Sequence, residues 1–296
     1  MTLEKQFLLV HCRWKLLAKS ALVLLVLGLI ASWIAGGVLC TPANHPVIAP
    51  TDLAVEPVTF SSASGATIHG WLVTPTTNHG VVILQHGVRA DRNQMVGRAR
   101  FLSRAGYAVL LYDFQAHGES TGNKITFGFL ESRDAQAAVA FVKNRFPGQP
   151  VAVIGVSLGA AAAVLATPPL EVNALVLESM YPTIIEATKD RIEIRFGPAG
   201  RLLSTLLTSQ IKLRTDCSPD DLRPISHVAG ITSPKLFLAG TADRDTKFSE
   251  AQAIFAQAAE PKTFVPFEGA KHVDLHAFAP DRYEKLILNY LEKHLK

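Results

Sequence analysis

Cysteine is scarce in this chain, and the three present are scattered: Cys12, Cys40 and Cys217. Only Cys217 falls within residues 56–296, so that stretch can form no internal disulfide. No Cys-x-x-Cys pair and no histidine-rich cluster occurs, which removes the usual zinc and redox motifs; no metal or cofactor is expected. Basic charge is also scarcer than the net +4 suggests. Residues 1–40 carry Lys5, Arg13, Lys15 and Lys19 against Glu4, a balance of +3 (4 − 1), which leaves only +1 (4 − 3) for residues 41–296. Without a basic run interleaved with aromatics, a nucleic-acid partner is excluded. Internal repeats are absent too. A length of 296 residues, 48% of them hydrophobic, suits one α/β domain with an appendage.

Charge is missing altogether between Ser20 and Cys40. Twenty or so apolar residues are what a helix needs to cross the hydrocarbon core of a bilayer. Trp14 and Trp33 stand near the two ends, where indoles favour the interface. Basic residues precede the run, and the first acid after it is Asp52. The positive-inside rule therefore keeps residues 1–19 cytoplasmic, makes 20–40 the span and puts the remainder across the membrane. A signal peptide cut near Ala35-Gly36-Gly37 is the second reading, giving a secreted product. A helix buried in the soluble domain is the third; the lack of a polar face opposes it. Leu39 stands before Cys40 where lipid attachment wants a small residue. Residues 41–55, with Pro42, Pro46 and Pro50, read as an extended linker.

From residue 56 the pattern changes. Residues 56–60 and 67–74 read as antiparallel strands around a turn at Ser61–Ala66. Buried strands are expected at 81–85, 108–113, 151–156, 174–178, 235–239 and 263–267. Helices are expected at 91–105, 130–146, 158–166, 247–259 and 281–294. Strands alternating with helices imply a mostly parallel sheet covered on both faces. Residues 181–230 break that rhythm with helical stretches and the polar patch Asp216–Asp221, and read as a helical cap inserted into the domain.

The densest signal is Val151-Ala-Val-Ile-Gly155-Val-Ser157-Leu-Gly159-Ala-Ala-Ala. A buried strand runs into an alanine-rich helix through Gly-x-Ser-x-Gly, the pattern of a serine on a sharp strand-to-helix turn. Such a turn lifts the Ser157 hydroxyl above the sheet edge and aims the Leu158 N–H at any oxyanion formed there. A serine nucleophile needs a base, the base needs an orienting acid, and ligands of such sheets sit at the carboxyl ends of strands. Asp243 follows the 235–239 strand closely, with Asp245 as the competing acid or as a helix cap. His272 follows the last strand in a Gly269-containing loop, with His276 as competitor. The loop Gln85-His86-Gly87-Val88 offers the Val88 N–H as a second oxyanion donor, His86 itself reading as a packed structural residue. Arg89, Asp91 and Arg92 read either as a pocket rim or as a solvated helix start. Asp113 and His117 read as turn-stabilising rather than as a second catalytic pair.

Gly-Val-Ser157-Leu-Gly, His86-Gly87, Asp113-x-x-x-His117-Gly118-x-Ser120, Gly240-x-x-Asp243 and Gly269-Ala-x-His272 occur in one order along residues 56–295. In this the chain resembles the α/β-hydrolase superfamily, and within it the serine-aminopeptidase-like and monoacylglycerol-lipase-like serine hydrolases. Gln115-Ala116 replaces the Arg-Gly frequent in those proteins. The resemblance implies an α/β-hydrolase fold with a cap, a Ser157–Asp243–His272 triad and an oxyanion hole from Val88 and Leu158. The expected activity is hydrolysis of carboxylic esters with a small acyl ester or lipid-like substrate, the alternatives being a peptidase or amidase on the same triad and a catalytically silent membrane-tethered binding protein. The apolar cap run Leu202-Leu203…Leu206-Leu207…Ile211 inclines the expectation towards acyl chains.

Overall fold

Along the strands at 81–85 and 151–156 every residue is buried, and neighbours go to opposite faces. Val81, Ile83, Val151 and Val153 join one hydrophobic core, while Val82, Leu84, Ala152 and Ile154 join another. This two-sided burial is why they read as unbroken apolar runs. A computed structural model describes residues 3–77 and 79–295. Its main sheet has eight strands: β1 (Glu56–Ser61), β2 (Thr67–Val73), β3 (Val81–Gln85), β4 (Ala108–Tyr112), β5 (Val151–Val156), β6 (Ala174–Glu178), β7 (Lys235–Gly240) and β8 (Lys262–Phe267). Their spatial order is β1-β2-β4-β3-β5-β6-β7-β8. β1 pairs antiparallel with β2, and β2 antiparallel with β4; all other neighbours are parallel.

Helices cover both faces. α3 (Phe129–Arg145) and α4 (Leu158–Leu165) close the first core with Ala135, Ala138, Val142 and the small residues Ala160–Ala163. The second core is closed by α2 (Val96–Arg104), through Ala99 and Leu102, and by the C-terminal helix at Pro280–His294, through Ile287 and Leu291. The chain leaves β3 for β4 on one side and returns to β5 on the other. That reversal opens a crevice at the carboxyl edge between β3 and β5, the place where such sheets bind ligands.

Residues 181–230 hold helices α5 (Ile184–Phe196), α6 (Gly200–Thr208), α7 (Ile211–Thr215) and α8 (Pro224–His227), and contribute no strand to the sheet. The N-terminal segment is one long helix, α1 (Leu3–Cys40); from Arg13 to Cys40 it is long and apolar enough to cross a membrane, and most of that length is exposed. The helix extends well before residue 20, because nothing between Leu3 and Ser20 breaks it. Its C-terminal end is docked. Gln210 Nε2 donates to Ser32 Oγ at 3.0 Å, and the Arg214 guanidinium lies 4.1 Å above the Trp33 ring while donating to the Trp33 carbonyl. Residues 41–47 are extended but not free. Ala43–Asn44 pair in parallel with His117–Gly118, and Val47 is buried.

One buried acid carries a pH consequence. Asp134 of α3 accepts from Ser64 Oγ (2.6 Å) and the Gln115 N–H (2.9 Å), holding the turn after β4. Burial outweighs these donors and pushes its pKa up to about 7. Between the ordinary carboxylate range and about 7 the folded chain keeps a proton that the unfolded chain releases, so stability falls as pH rises through that window. For Asp134→Asn, the difference in melting temperature from the parent should move in favour of the variant between about pH 5 and about pH 8. A difference that stays flat would show that Asp134 ionises as it does in the unfolded chain.

Candidate active site

The turn between β5 and α4 is sterically possible only with its two glycines. A Cβ on Gly155 would sit 2.5 Å from the Ala160 nitrogen, and one on Gly159 2.4 Å from the Gln85 carbonyl oxygen. Ser157 between them has φ 51 and ψ −104, a left-sided conformation that costs a non-glycine residue roughly 1–3 kcal/mol. Its own N–H donates to the Glu178 carbonyl at 2.8 Å, and its carbonyl accepts from the Ala161 N–H at 3.0 Å. The backbone is thus clamped from β6 and from α4, and the strain is held in place. Leu158 opens α4, so its N–H lies in the first turn, where no helical acceptor exists.

The loop after β3 is set by His86. This ring is fully buried; it shares a 2.7 Å hydrogen bond with the Gly87 carbonyl through Nδ1 and accepts the Phe114 N–H at Nε2, 3.0 Å away. Those partners select the Nδ1–H tautomer. Burial, helped by the adjacent His117, pushes the His86 pKa down to about 3, so the ring is neutral throughout the physiological range. In a trans peptide the N–H opposes the C=O. Holding the Gly87 carbonyl against His86 therefore turns the Val88 N–H the other way. The Gly87 N–H is occupied by Gln94 Oε1 at 2.7 Å, and the Gly87 Cβ position lies 3.9 Å from Ser157 Cβ. Among the described residues neither the Val88 nor the Leu158 N–H has a protein acceptor, and both residues line a cleft with Ser157.

On the other side of the edge, Asp243 leaves β7 and His272 leaves β8. His272 Nδ1 and Asp243 Oδ2 are 2.8 Å apart. Asp243 also accepts the N–H groups of Asp245 and Thr246 and the Thr246 hydroxyl, each at 2.9 Å. Burial raises the Asp243 carboxyl, but His272 and the Thr246 donors together outweigh it and hold its pKa below the ordinary value. Asp245 lies 3.7 Å from Arg191. His276, four residues past His272, contacts Glu284 and packs on Phe101 and Tyr283. No hydrogen bond joins Ser157 to His272 among the described residues; Asp243 is joined to His272, and Ser157 shares its cleft with Val88 and Leu158.

Asp113 accepts the Arg92 and Glu119 N–H groups at 2.7 and 2.9 Å, while its carbonyl accepts the Ser120 hydroxyl at 2.6 Å. Arg92, which the sequence left between a rim and a solvated helix start, is buried: it pairs with Asp113 and stacks 4.2 Å from Trp71. Nothing in the sequence marked Arg98. It is buried beneath the site, where it binds Glu178 (2.7 Å) and Asp274 (2.9 Å) and donates to the Tyr283 hydroxyl at 2.9 Å. Glu178 ends the strand that clamps Ser157, and Asp274 lies two residues past His272. Arg98 therefore ties the two halves of the site together.

Ser157 opens into a cleft enclosing about 1020 Å³, open solvent at its mouth included. Its walls come from the cap, from the Val88–Arg89 loop and from the last turn of α1. Residues 76–210 match the family described as serine aminopeptidase, S33. The chain is 28% identical over 271 residues to the alpha/beta hydrolase domain-containing protein WAV2 of Arabidopsis thaliana, covering 85% of this chain and 83% of that one. It is 28% identical over 242 residues to the uncharacterized protein Rv2307c of Mycobacterium tuberculosis, covering 79% and 78%. Among solved structures it superposes on the Pyrococcus furiosus esterase Pf2001 with a TM-score of 0.70 at 22% identity, over 86% of this chain and 99% of the other. The esterase EaEST of Exiguobacterium antarcticum gives 0.61 at 15% identity, over 80% and 100%. Strand order, parallel pairing and these likenesses together give the chain the α/β-hydrolase fold and make it similar, over residues 76–210, to the serine aminopeptidase, S33 family.

Proposed function

We propose that this chain is a membrane-anchored serine hydrolase of carboxylic esters. The observation that carries the reading is the pair of buried Asp243 and half-buried His272 on the same sheet edge as the strained Ser157. His272 Nε2, the nitrogen left free by Asp243, takes the Ser157 proton as Oγ attacks the acyl carbonyl. Asp243 orients the ring and stabilises its cationic form. The Val88 and Leu158 N–H groups receive the developing oxyanion. His272 then protonates the departing alcohol, and a water activated by the same ring releases the acid from Ser157. An aminopeptidase would need a carboxylate for its substrate's ammonium group. Among the described residues the cleft offers none, which favours esters over the peptidase reading.

Docking of α1 supports its retention as a single-pass anchor, with the catalytic domain across the membrane from the basic terminus. Cleavage at residues 35–37 would remove Ser32 and Trp33, the acceptors that hold Gln210 and Arg214. Labelling of the full chain with a fluorophosphonate, followed by peptide mass mapping, tests the chemistry: the adduct is expected on Ser157, and an adduct elsewhere would defeat the reading. Parallel assays on p-nitrophenyl esters and aminoacyl anilides separate esterase from peptidase.

His86→Phe keeps the ring volume and loses both of its hydrogen bonds. With the Gly87–Val88 peptide released, kcat should fall about 10- to 100-fold, below the loss from deleting an oxyanion donor outright, while KM changes little. An unchanged kcat would place the oxyanion donor outside this loop.

A further inference from the structure

Four arginines line the cleft above Ser157: Arg89, Arg191, Arg195 and Arg214; no carboxylate among the described residues lines it. Among the described residues only Arg191 pairs with an acid, Asp245 at 3.7 Å. Arg89 donates to the Val38 and Thr41 carbonyls and the Thr41 hydroxyl. Arg214 donates to the Trp33 carbonyl and to Gln210 Oε1. Arg195, in the last turn of α5, has no hydrogen-bond or ionic partner among the described residues. Three cations thus border a mainly apolar cleft with no carboxylate partner among the described residues, Arg89 and Arg195 exposed to solvent and Arg214 half-buried. Guanidinium groups so placed gain most from a planar or tetrahedral oxyanion that accepts two N–H donors at once.

The rest of the wall is apolar and belongs partly to the anchor. Leu39 faces the same space as Ile184, Leu207 and Ile211. Trp14 and Trp33 are nineteen residues apart (33 − 14), about 28 Å along a helix, close to the hydrocarbon thickness. Set by these indoles, the span ends at Trp33 and the cleft wall begins one turn later. Set by the uncharged stretch 20–40, it ends at Cys40. Either way, Gly36, Leu39 and Cys40 lie at the outer boundary of the bilayer. On α6 and α7, the cap helices that pack against α1, Leu202 and Leu213 are exposed at 72% and 75%, and Phe196 at the end of α5 is exposed at 58%, as suits residues resting on lipid.

We infer that the substrate is an acyl ester whose alcohol half carries an anion, a phosphate or a carboxylate, taken from the leaflet in which α1 ends. This rests on the serine-hydrolase reading. The acyl chain lies against Leu39, Ile184, Leu207 and Ile211, and the anion binds Arg195 and Arg214. Ser157 takes the acyl group, the anionic alcohol leaves with the proton from His272, and one water releases the fatty acid. Arg195 is a specificity residue in this account.

The test uses the full chain in neutral bilayer discs. Hydrolysis of 1-oleoylglycerol is compared with that of its 3-phosphate and of O-oleoyl lactate, with the soluble 1-butyrylglycerol 3-phosphate as a fourth arm. At least one anionic oleoyl ester should exceed the neutral one by about tenfold or more in kcat/KM, the worth of one charge-assisted hydrogen bond. Arg195→Gln should collapse that ratio, chiefly through KM. The oleoyl phosphate should outpace the butyryl one; equal rates would overturn the assignment of the leaflet as source. Equal turnover of charged and neutral esters, or a ratio untouched in the variant, with Ser157 still labelled by fluorophosphonate, would overturn the inference alone. Failure of both labelling and hydrolysis would overturn the underlying reading with it.

Discussion

Exchanging Ser157 for alanine is expected to abolish fluorophosphonate labelling and to lower kcat by roughly 10⁴- to 10⁶-fold, since a nucleophile and its base act as a unit. The fold should survive, because alanine tolerates burial and Ser157 uses only its backbone to hold the elbow. Substrate binding should survive as well. Asp243→Asn comes next, with an expected loss of about 10³- to 10⁴-fold. An amide at Oδ2 can present an N–H to His272 Nδ1 and so favour the wrong tautomer, leaving Nε2 unable to accept the serine proton. Asp245 supplies the control. It is two residues away and equally acidic, but lies beside Arg191 rather than His272. Asp245→Asn should stay within a few-fold of the parent, roughly 1 kcal/mol of transition-state energy. If the two aspartates exchange these effects, the orienting acid is misassigned.

How much of this could be read along the chain depends on the range of the interactions. The elbow was legible because its constraint is local: Gly155, Ser157 and Gly159 lie within five residues, and steric need dictates their identity. Strand positions were legible because burial on both faces leaves unbroken apolar runs, as in Val81–Leu84. Choosing Asp243 over Asp245 required only that the acid follow its strand closely. Arg98 was not legible. In Gly97-Arg98-Ala99-Arg100 the two arginines look alike, yet Arg100 sits at the surface against Asp52 and Arg98 is buried. What separates them is the helical face, together with partners 80 and 176 positions away. The part of α1 in the cleft was hidden for the same reason. An apolar helix advertises a bilayer, and only Gln210 and Arg214, far along the chain, show that its last turns also meet the cap. The short helix at Leu275–Phe278 escaped because its start is defined by Asp274, an acid that caps it while paired with Arg98.

Arg98→Met should therefore destabilise the fold by about 3–5 kcal/mol, the range for breaking a buried ion pair from one side. Methionine fills much of the volume, so the loss is electrostatic. Glu178 would keep only the Tyr283 hydroxyl as a side-chain donor inside the core, and Asp274 would lose the cation that holds its pKa down against burial. For a domain of this size the melting temperature should drop by roughly 10 °C. Arg98→Lys should fall in between, since one ammonium cannot span two carboxylates and a phenol as the guanidinium fork does. Removing the stranded charge should restore part of the loss: with Glu178→Met added to Arg98→Met, the double variant should be more stable than Arg98→Met alone. Activity provides an independent reading. Asp274 accepts the His276 and Ala277 N–H groups and so fixes the loop that presents His272. Folded Arg98→Met protein, assayed well below its own transition, should lose kcat more than it gains in KM. A melting temperature within about 1 °C of the parent would mean that the Arg98 network does not tie β6 to the His272 loop.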